Sequence, residues 1–129
     1  MKFKDDVVAA RFDDMSVRAQ MLALEMDNWL MRYYGIEMTI TATTSTAEED
    51  KALERISSTH REGRAFDVRT TDIPDHVLAE FIAEFRKKYK TLGAQSGGQY
   101  NLIVYRPHGT GPHLHIQISR KYSRVIKGK

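Results

Sequence analysis

The segment that most constrains the fold lies near the end of the chain, where polar and apolar side chains alternate over residues 113–119. Successive side chains of a β-strand point to opposite faces of the sheet, so alternate residues share a face. One face is aliphatic and the other is polar: Leu114, Ile116 and Ile118 on the first, and His113, His115 and Gln117 on the second. The polar side chains stand about 6.5–7 Å apart along the strand. Buried imidazoles need partners, and a metal ion would be one.

A second polar cluster lies between His60 and Asp67. If residues 64–69 form a strand, Phe66 and Val68 face the core and Asp67 faces away from it. Gly63 allows a tight approach or a positive φ between the histidine and the strand. His60 and Asp67 can then converge with a histidine of the last strand, which gives a reasonable zinc set with a fourth position for water. The residues alone leave a second interpretation open, in which His60 and Asp67 hydrogen-bond each other.

Hydrophobic periodicity places the remaining elements. Helices are predicted over residues 14–34, 46–56 and 74–89, and strands over 36–42, 64–69, 100–105 and 113–119, with a glycine-marked loop over 93–98. The first helix is expected to bury Met15, Leu22, Met26, Trp29, Leu30 and Tyr33, and the last helix Leu78, Phe81, Ile82, Phe85 and Tyr89. Residues 1–129 are therefore expected to form one small α+β domain, with helices packed on a mainly antiparallel sheet.

Charge is distributed unevenly along the chain. Residues 1–84 contain ten Lys and Arg and all seventeen Asp and Glu, whereas residues 85–129 contain ten Lys and Arg and no acid. The basic C-terminal third favours an anionic partner, although a solvated basic face produces the same pattern. The chain has no Cys, which excludes disulfides and thiolate metal sites.

The segment that contains His60 and Asp67 also carries a recognisable motif. Residues 58–67 fit the pattern S-x-H-x-x-G-x-A-x-D at every fixed position. This pattern resembles that of the zinc D-alanyl-D-alanine carboxypeptidases and of the L-alanyl-D-glutamate endopeptidases of bacteriophages, whose fold the hedgehog signalling domain shares. A second element of these families is a histidine on a late strand, often within H-x-H, and here it is His113-Leu114-His115.

The resemblance covers about residues 36–118 and implies a fold, an activity and a ligand set. The implied fold is hedgehog/DD-peptidase-like, and the implied activity is zinc-dependent hydrolysis of an amide bond in peptidoglycan stem peptides, of the phage or prophage endolysin type. It implies that His60, Asp67 and one late histidine bind Zn²⁺. Alignment of residues 114–116 with the ligand strand selects His115, and His113 is the alternative ligand.

The chain departs from these families at the general base. They usually carry Glu or Asp three residues before the final ligand, but Pro112 occupies that position and no acid follows Glu84. We predict that His113 is the base, because a neutral imidazole on the metal face can accept a proton from water activated by zinc. His108 and Glu62 are the alternatives, and a domain with no base would be inert.

A second departure concerns substrate binding. The strand before the motif usually ends in a substrate-binding Arg in these families, whereas residues 42–45 here are Ala-Thr-Thr-Ser. We expect Arg61, Arg64 or Arg69 to replace it. His108, in a loop that can cover the site, and Gln117, on the metal face, are further candidates for substrate contacts.

Two other functions are compatible with the sequence. A catalytically silent, zinc-stabilised binding module of the same fold would account for the missing carboxylate. Nucleic-acid binding has only the basic third in its favour, because the chain lacks a recognition-helix motif and interleaved surface aromatics, and it is not expected.

Location follows from the same patterns. No apolar run approaches the roughly 20 residues of a membrane span. Residues 1–14 are charged and lack the apolar centre of a signal peptide. We expect synthesis in the cytoplasm, release by another route, action at the bacterial cell wall, and contact between the basic third and anionic wall polymer.

Overall fold

A five-stranded sheet and four helices make up the residues that the computed structural model describes, 1–107 and 111–122. The helices are α1 (Asp6–Phe12), α2 (Val17–Tyr34), α3 (Ala47–Ala52) and α4 (Asp75–Lys88), followed by a 3₁₀ turn at Arg120–Tyr122. The strands are β1 (Lys2–Phe3), β2 (Thr39–Ala42), β3 (Ala65–Arg69), β4 (Ala94–Ser96), β5 (Gln99–Asn101), β6 (Ile103–Arg106) and β7 (His113–Gln117).

The sheet has the strand order β1-β2-β3-β7-β6. β1 pairs with β2 in parallel, and the other neighbours pair antiparallel. β4 and β5 form a separate two-stranded hairpin. The predicted α+β class with a mainly antiparallel sheet is confirmed. None of the helices in the described ranges is long and apolar enough to cross a membrane.

The ends of the elements follow local capping chemistry. α2 begins three residues later than predicted because Ser16 Oγ accepts a hydrogen bond from the backbone N–H of Ala19 at 3.2 Å. It ends as predicted at Gly35, which has a left-handed φ of 65°. α1 was not predicted, because its seven residues show little periodicity, and the Asp5 carboxylate that caps it lies in a charged segment.

The predicted loop over 93–98 is wrong, because β4 and β5 form a hairpin there. Its turn is Gly97-Gly98, with φ of 57° and 80°. Two successive positive φ values suit a two-residue hairpin turn, and glycine adopts them without strain. Two adjacent glycines are compatible with an irregular loop, but they are also typical of a two-residue β-hairpin turn.

The core lies between one face of the sheet and helices α2 and α4. The fully buried residues of α2 include Leu22, Met26 and Leu30, and Trp29 packs against the core from its edge. Tyr33 was predicted to be buried but is 61% exposed, because it lies in the last turn of α2, where it contacts Trp29 at the surface. The other predicted core positions are buried or packed against the core: Met15, Leu78, Phe81, Ile82, Phe85, Tyr89, Phe66, Val68, Leu114, Ile116 and Ile118.

The turn that carries His60 is docked against the junction of α1 and α2. Ser16 donates its backbone N–H to the carbonyl of Gly63 at 2.7 Å. Gly63 has a φ of +71°, and a Cβ there would lie 3.1 Å from the backbone oxygen of Asp14. Glycine is therefore required at this position both for its backbone conformation and for the close approach.

Replacement of Gly63 by Ala tests this packing, with Gly97→Ala as the matched control. Both positions have positive φ, but a Cβ at Gly97 would meet nothing within 4 Å. Gly97→Ala should lower the free energy of unfolding by about 1–2 kcal/mol through backbone strain alone. Gly63→Ala should lower it by about 1–3 kcal/mol more through crowding. Urea denaturation measures both, and equal losses would contradict the close packing of this turn.

Candidate metal centre

Three side chains from three segments meet on the sheet face opposite the core. Asp67 of β3 lies directly across from His115 of β7 in the strand register. The turn between α3 and β3 brings His60 over the same point. All three residues are buried, with exposed fractions of 2% for His60, 7% for Asp67 and 1% for His115. One ligand atom from each lies within 4.8 Å of the others, so the group can hold a metal ion.

One carboxylate oxygen is the centre of this group. Asp67 Oδ1 lies 3.1 Å from His60 Nε2 and 3.0 Å from His115 Nδ1. Ligand atoms at the corners of a tetrahedron around zinc are about 3.3 Å apart, given zinc–nitrogen and zinc–oxygen bonds of about 2.0–2.1 Å. The observed separations are thus close to those of a zinc coordination shell.

The outer nitrogen of each imidazole has its own hydrogen-bond acceptor. His60 Nδ1 donates to the backbone carbonyl of Thr43 at 2.8 Å. His115 Nε2 lies 3.0 Å from Gln117 Oε1. The Gln117 amide is oriented by its own nitrogen, which donates to the carbonyl of Asn101 at 3.0 Å, so its oxygen faces His115. Each outer nitrogen therefore carries a proton.

A neutral imidazole has one N–H, so the inner nitrogens of His60 and His115 then carry lone pairs. These lone pairs point at the Asp67 oxygen, which also has only lone pairs to offer. Three electron-rich atoms in a buried position repel one another unless a cation lies between them. A metal ion supplies that charge, and histidine ligands typically donate their other N–H to a carbonyl or amide oxygen as seen here.

The pKa values of Asp67 and His115 are shifted in directions that suit metal binding. Burial raises the pKa of Asp67, but hydrogen bonds with His115 and His60 outweigh it and hold the pKa well below its usual range. Burial lowers the pKa of His115, against the opposing effect of Asp67. Both shifts favour an ionised carboxylate and a neutral imidazole, which are the metal-binding forms. Those hydrogen bonds to Asp67 form only while the imidazole nitrogens that face it carry protons, and a bound metal would displace these protons.

His113 lies at the open edge of the centre, outside the compact group of three. Its Nδ1 donates to the carbonyl of Gly111 at 2.8 Å, and its Nε2 lies 3.7 Å from Asp67 Oδ2. Its side chain is 17% exposed, against 2% for that of His115. Asp67 and His113 both line a cleft of about 590 Å³ between the sheet and helices α1 and α3. The centre is therefore open to small molecules or peptide on the side of His113.

Arg69 is a basic residue of the cleft that lies close to the centre and has no partner among the residues that the structure describes. Arg69 lies across from His113 in the strand register and lines the cleft. Within the described ranges, it makes no hydrogen bond or ion pair. Arg11 and Arg55 also line the cleft, but Arg11 pairs with Glu49 at 2.6 Å and Arg55 pairs with Asp50 at 3.1 Å.

The other predicted substrate-binding residues have different surroundings. Arg64 is buried, and its guanidinium donates to the carbonyl of Ile118 at 2.9 Å and to Glu62 at 3.0 Å. Arg61 faces Asp50 at 3.7 Å and does not line the cleft. Gln117 is on the metal face as predicted, where it orients His115. His108 lies outside the described residues.

Glu62, one of the alternative bases, is fully engaged elsewhere. Its carboxylate accepts hydrogen bonds from Ser58, Arg64 and Arg120. The Ser58 hydrogen bond, followed by those from Arg120 and Arg64, lowers the pKa of Glu62 to about 2 against the opposing effect of burial. Such a carboxylate is a poor proton acceptor at neutral pH. Its contacts instead tie the turn of His60 to the C-terminal 3₁₀ turn.

Sequence patterns did not reveal the two backbone carbonyls that orient His60 and Gln117. The Thr43 and Asn101 contacts use backbone carbonyls, which every residue has.

Comparisons with protein-family models, with curated proteins and with solved structures found no match. The function is therefore inferred from the residues of the site.

Removal of a ligand should abolish metal binding. We expect about one zinc per chain in the wild-type protein, and none in His60→Ala, Asp67→Ala or His115→Ala. His76→Ala is the matched control. His76 lies on α4, where its ring contacts Tyr34 of α2, and its replacement should leave zinc content unchanged. Zinc at about 100 times its Kd should stabilise the wild type by about 2.7 kcal/mol. Elemental analysis and thermal melting measure both effects, and a ligand variant with full zinc content would exclude that residue.

Proposed function

We propose that the protein is a zinc-dependent hydrolase that cleaves an amide bond in peptidoglycan stem peptides. The observation that carries the proposal is the convergence of His60 Nε2 and His115 Nδ1 on Asp67 Oδ1, at 3.1 and 3.0 Å. These residues are the ones for which the motif resemblance implied a zinc site. The donor set of two nitrogens and one oxygen suits zinc, and it also suits iron.

His60, Asp67 and His115 would hold the metal next to the cleft that Asp67 and His113 line. Zinc in such a set lowers the pKa of a water molecule toward about 7 and polarises a carbonyl group. Thr43 and Gln117 keep His60 and His115 in the tautomers that ligation needs. Burial excludes bulk water from the ligand atoms and strengthens their attraction for a cation.

His113 is placed to act as the general base. Because its Nδ1–H is held by the carbonyl of Gly111, the lone pair is on Nε2, which faces the centre. Nε2 can take a proton from the attacking water and return it to the leaving amine.

Arg69 is the candidate that we favour for binding the substrate. Stem peptides carry carboxylates, and a guanidinium with no internal partner can bind a carboxylate through two parallel hydrogen bonds. Arg69 is adjacent to both Asp67 and His113 on the sheet face. A carboxylate held there would place the neighbouring amide bond over the metal.

The missing carboxylate supports a second candidate, a zinc-stabilised binding module without activity. No acid follows Glu84 in the chain, and Glu62 accepts four hydrogen bonds from three side chains. If the protein is an enzyme, the proton acceptor would be His113. The binding module would have none. Action at the cell wall, and contact of the basic third with anionic wall polymer, are part of the proposal under either candidate.

Replacement of His113 by Ala separates enzyme from binding module. Zinc-loaded wild-type protein is incubated with purified peptidoglycan, and the released peptides are identified by mass spectrometry. His113→Ala should keep its zinc and lose about a hundredfold or more of the hydrolysis rate, as expected for removal of a general base. If the wild type carries zinc and releases no peptide at any pH, the binding module is correct. If His113→Ala loses the zinc, His113 is a ligand.

Arg69 should affect substrate affinity more than turnover. Arg69→Gln should raise KM for a carboxylate-bearing peptide about 10–100-fold, because a charge-assisted hydrogen bond contributes about 1.5–3 kcal/mol. Arg69→Lys keeps the charge but loses the two-pronged geometry, so an intermediate KM is expected. Steady-state kinetics with zinc-loaded protein measures this. An unchanged KM for Arg69→Gln would show that the carboxylate binds elsewhere.

A further inference from the structure

A buried carboxylate lies behind the metal centre, on the short helix α3. Asp50 is 3% exposed, and its Oδ1 accepts hydrogen bonds from Ser45 Oγ at 2.7 Å and Arg55 Nη1 at 3.1 Å. Its Oδ2 has no hydrogen-bond partner among the described residues, and the nearest cation is Arg61 at 3.7 Å. Burying a carboxylate with one oxygen unsatisfied is unfavourable, so its position calls for an explanation.

The partners of Asp50 lie next to the two segments that fix His60. Ser45 donates its backbone N–H to the carbonyl of His60 at 3.4 Å. Ser45 also lies two residues after Thr43, whose carbonyl accepts the Nδ1–H of His60. Arg61 directly follows His60 in the chain. Asp50 therefore attracts both the segment that orients the imidazole and the segment that carries it.

We infer that Asp50 is a positioning residue that holds His60 in the geometry for metal binding. The inference rests on the proposed metal site, and it concerns a residue that touches neither metal nor substrate. Asp50 contacts both Ser45 and Arg61. It therefore keeps the carbonyl of Thr43 and the imidazole of His60 in their relative positions. An amide at position 50 could still accept from Ser45, but it would lack the charge that attracts the two guanidinium groups.

Asp50→Asn tests the inference through zinc affinity. Competition with a chromogenic zinc chelator should show affinity lowered about tenfold or more, the effect typical of groups that orient a metal ligand. Glu49→Gln is the matched control, because Glu49 is the preceding residue of α3 and pairs with Arg11 of α1, not with Ser45 or Arg61. It should leave zinc affinity unchanged. Melting of the metal-free proteins shows how much each variant destabilises the fold.

Arg61→Gln provides a second variant that should fold, because the Arg61 side chain is 48% exposed. We expect a smaller loss of zinc affinity in the same direction, whereas a purely substrate-binding Arg61 would leave affinity unchanged. If the wild type binds zinc and both Asp50→Asn and Arg61→Gln keep its affinity, the positioning role is wrong. An equal loss in Glu49→Gln would also overturn it, since any loosening of α3 would then suffice. A wild type that binds no zinc would instead overturn the proposed function.

Discussion

The site depends on the contact of two imidazole nitrogens with one carboxylate oxygen in a buried position. Thr43 and Gln117 can accept the N–H of the outer nitrogen of each imidazole, and when the imidazole is neutral the nitrogen that faces Asp67 carries a lone pair, which is the form that binds a metal. Charge repulsion at about 3 Å in a poorly solvated interior is unfavourable, and a cation between the three atoms removes it. The three residues can therefore hold a metal ion.

The same contact links distant parts of the chain. His60 lies on a turn packed against the start of α2, Asp67 lies on a central strand, and His115 lies on the neighbouring strand. A metal held by these three residues would close long loops, so its binding free energy would add to the stability of the fold. Asp50 contacts the turn of His60 through Arg61. Glu62 of the same turn contacts Arg64, the residue before β3.

The sequence predicted the sheet, and the grouping of His60, Asp67 and His115, well where side-chain alternation was strong. The alternation over 113–119 correctly separated Leu114 and Ile116 in the core from His115 on the metal face. Short elements such as β1 and α1 could not be predicted, because a few residues show no period and are stabilised by contacts with distant segments. Backbone acceptors such as the carbonyl of Thr43 leave no signal in a sequence. Among the arginines, only tertiary structure distinguishes Arg64, which is internal, from Arg69, which lines the cleft.

The most direct test of the account is a crystal structure of zinc-loaded protein with anomalous diffraction data at the zinc edge. We expect one zinc peak at about 2.0–2.2 Å from His60 Nε2, an Asp67 carboxylate oxygen and His115 Nδ1. We also expect His113 Nε2 to face the side of the zinc ion that these three ligands leave open. No peak at this position, in a protein with the same fold, would contradict the metal centre. A peak coordinated by His113 in place of His115 would contradict the assignment of the base.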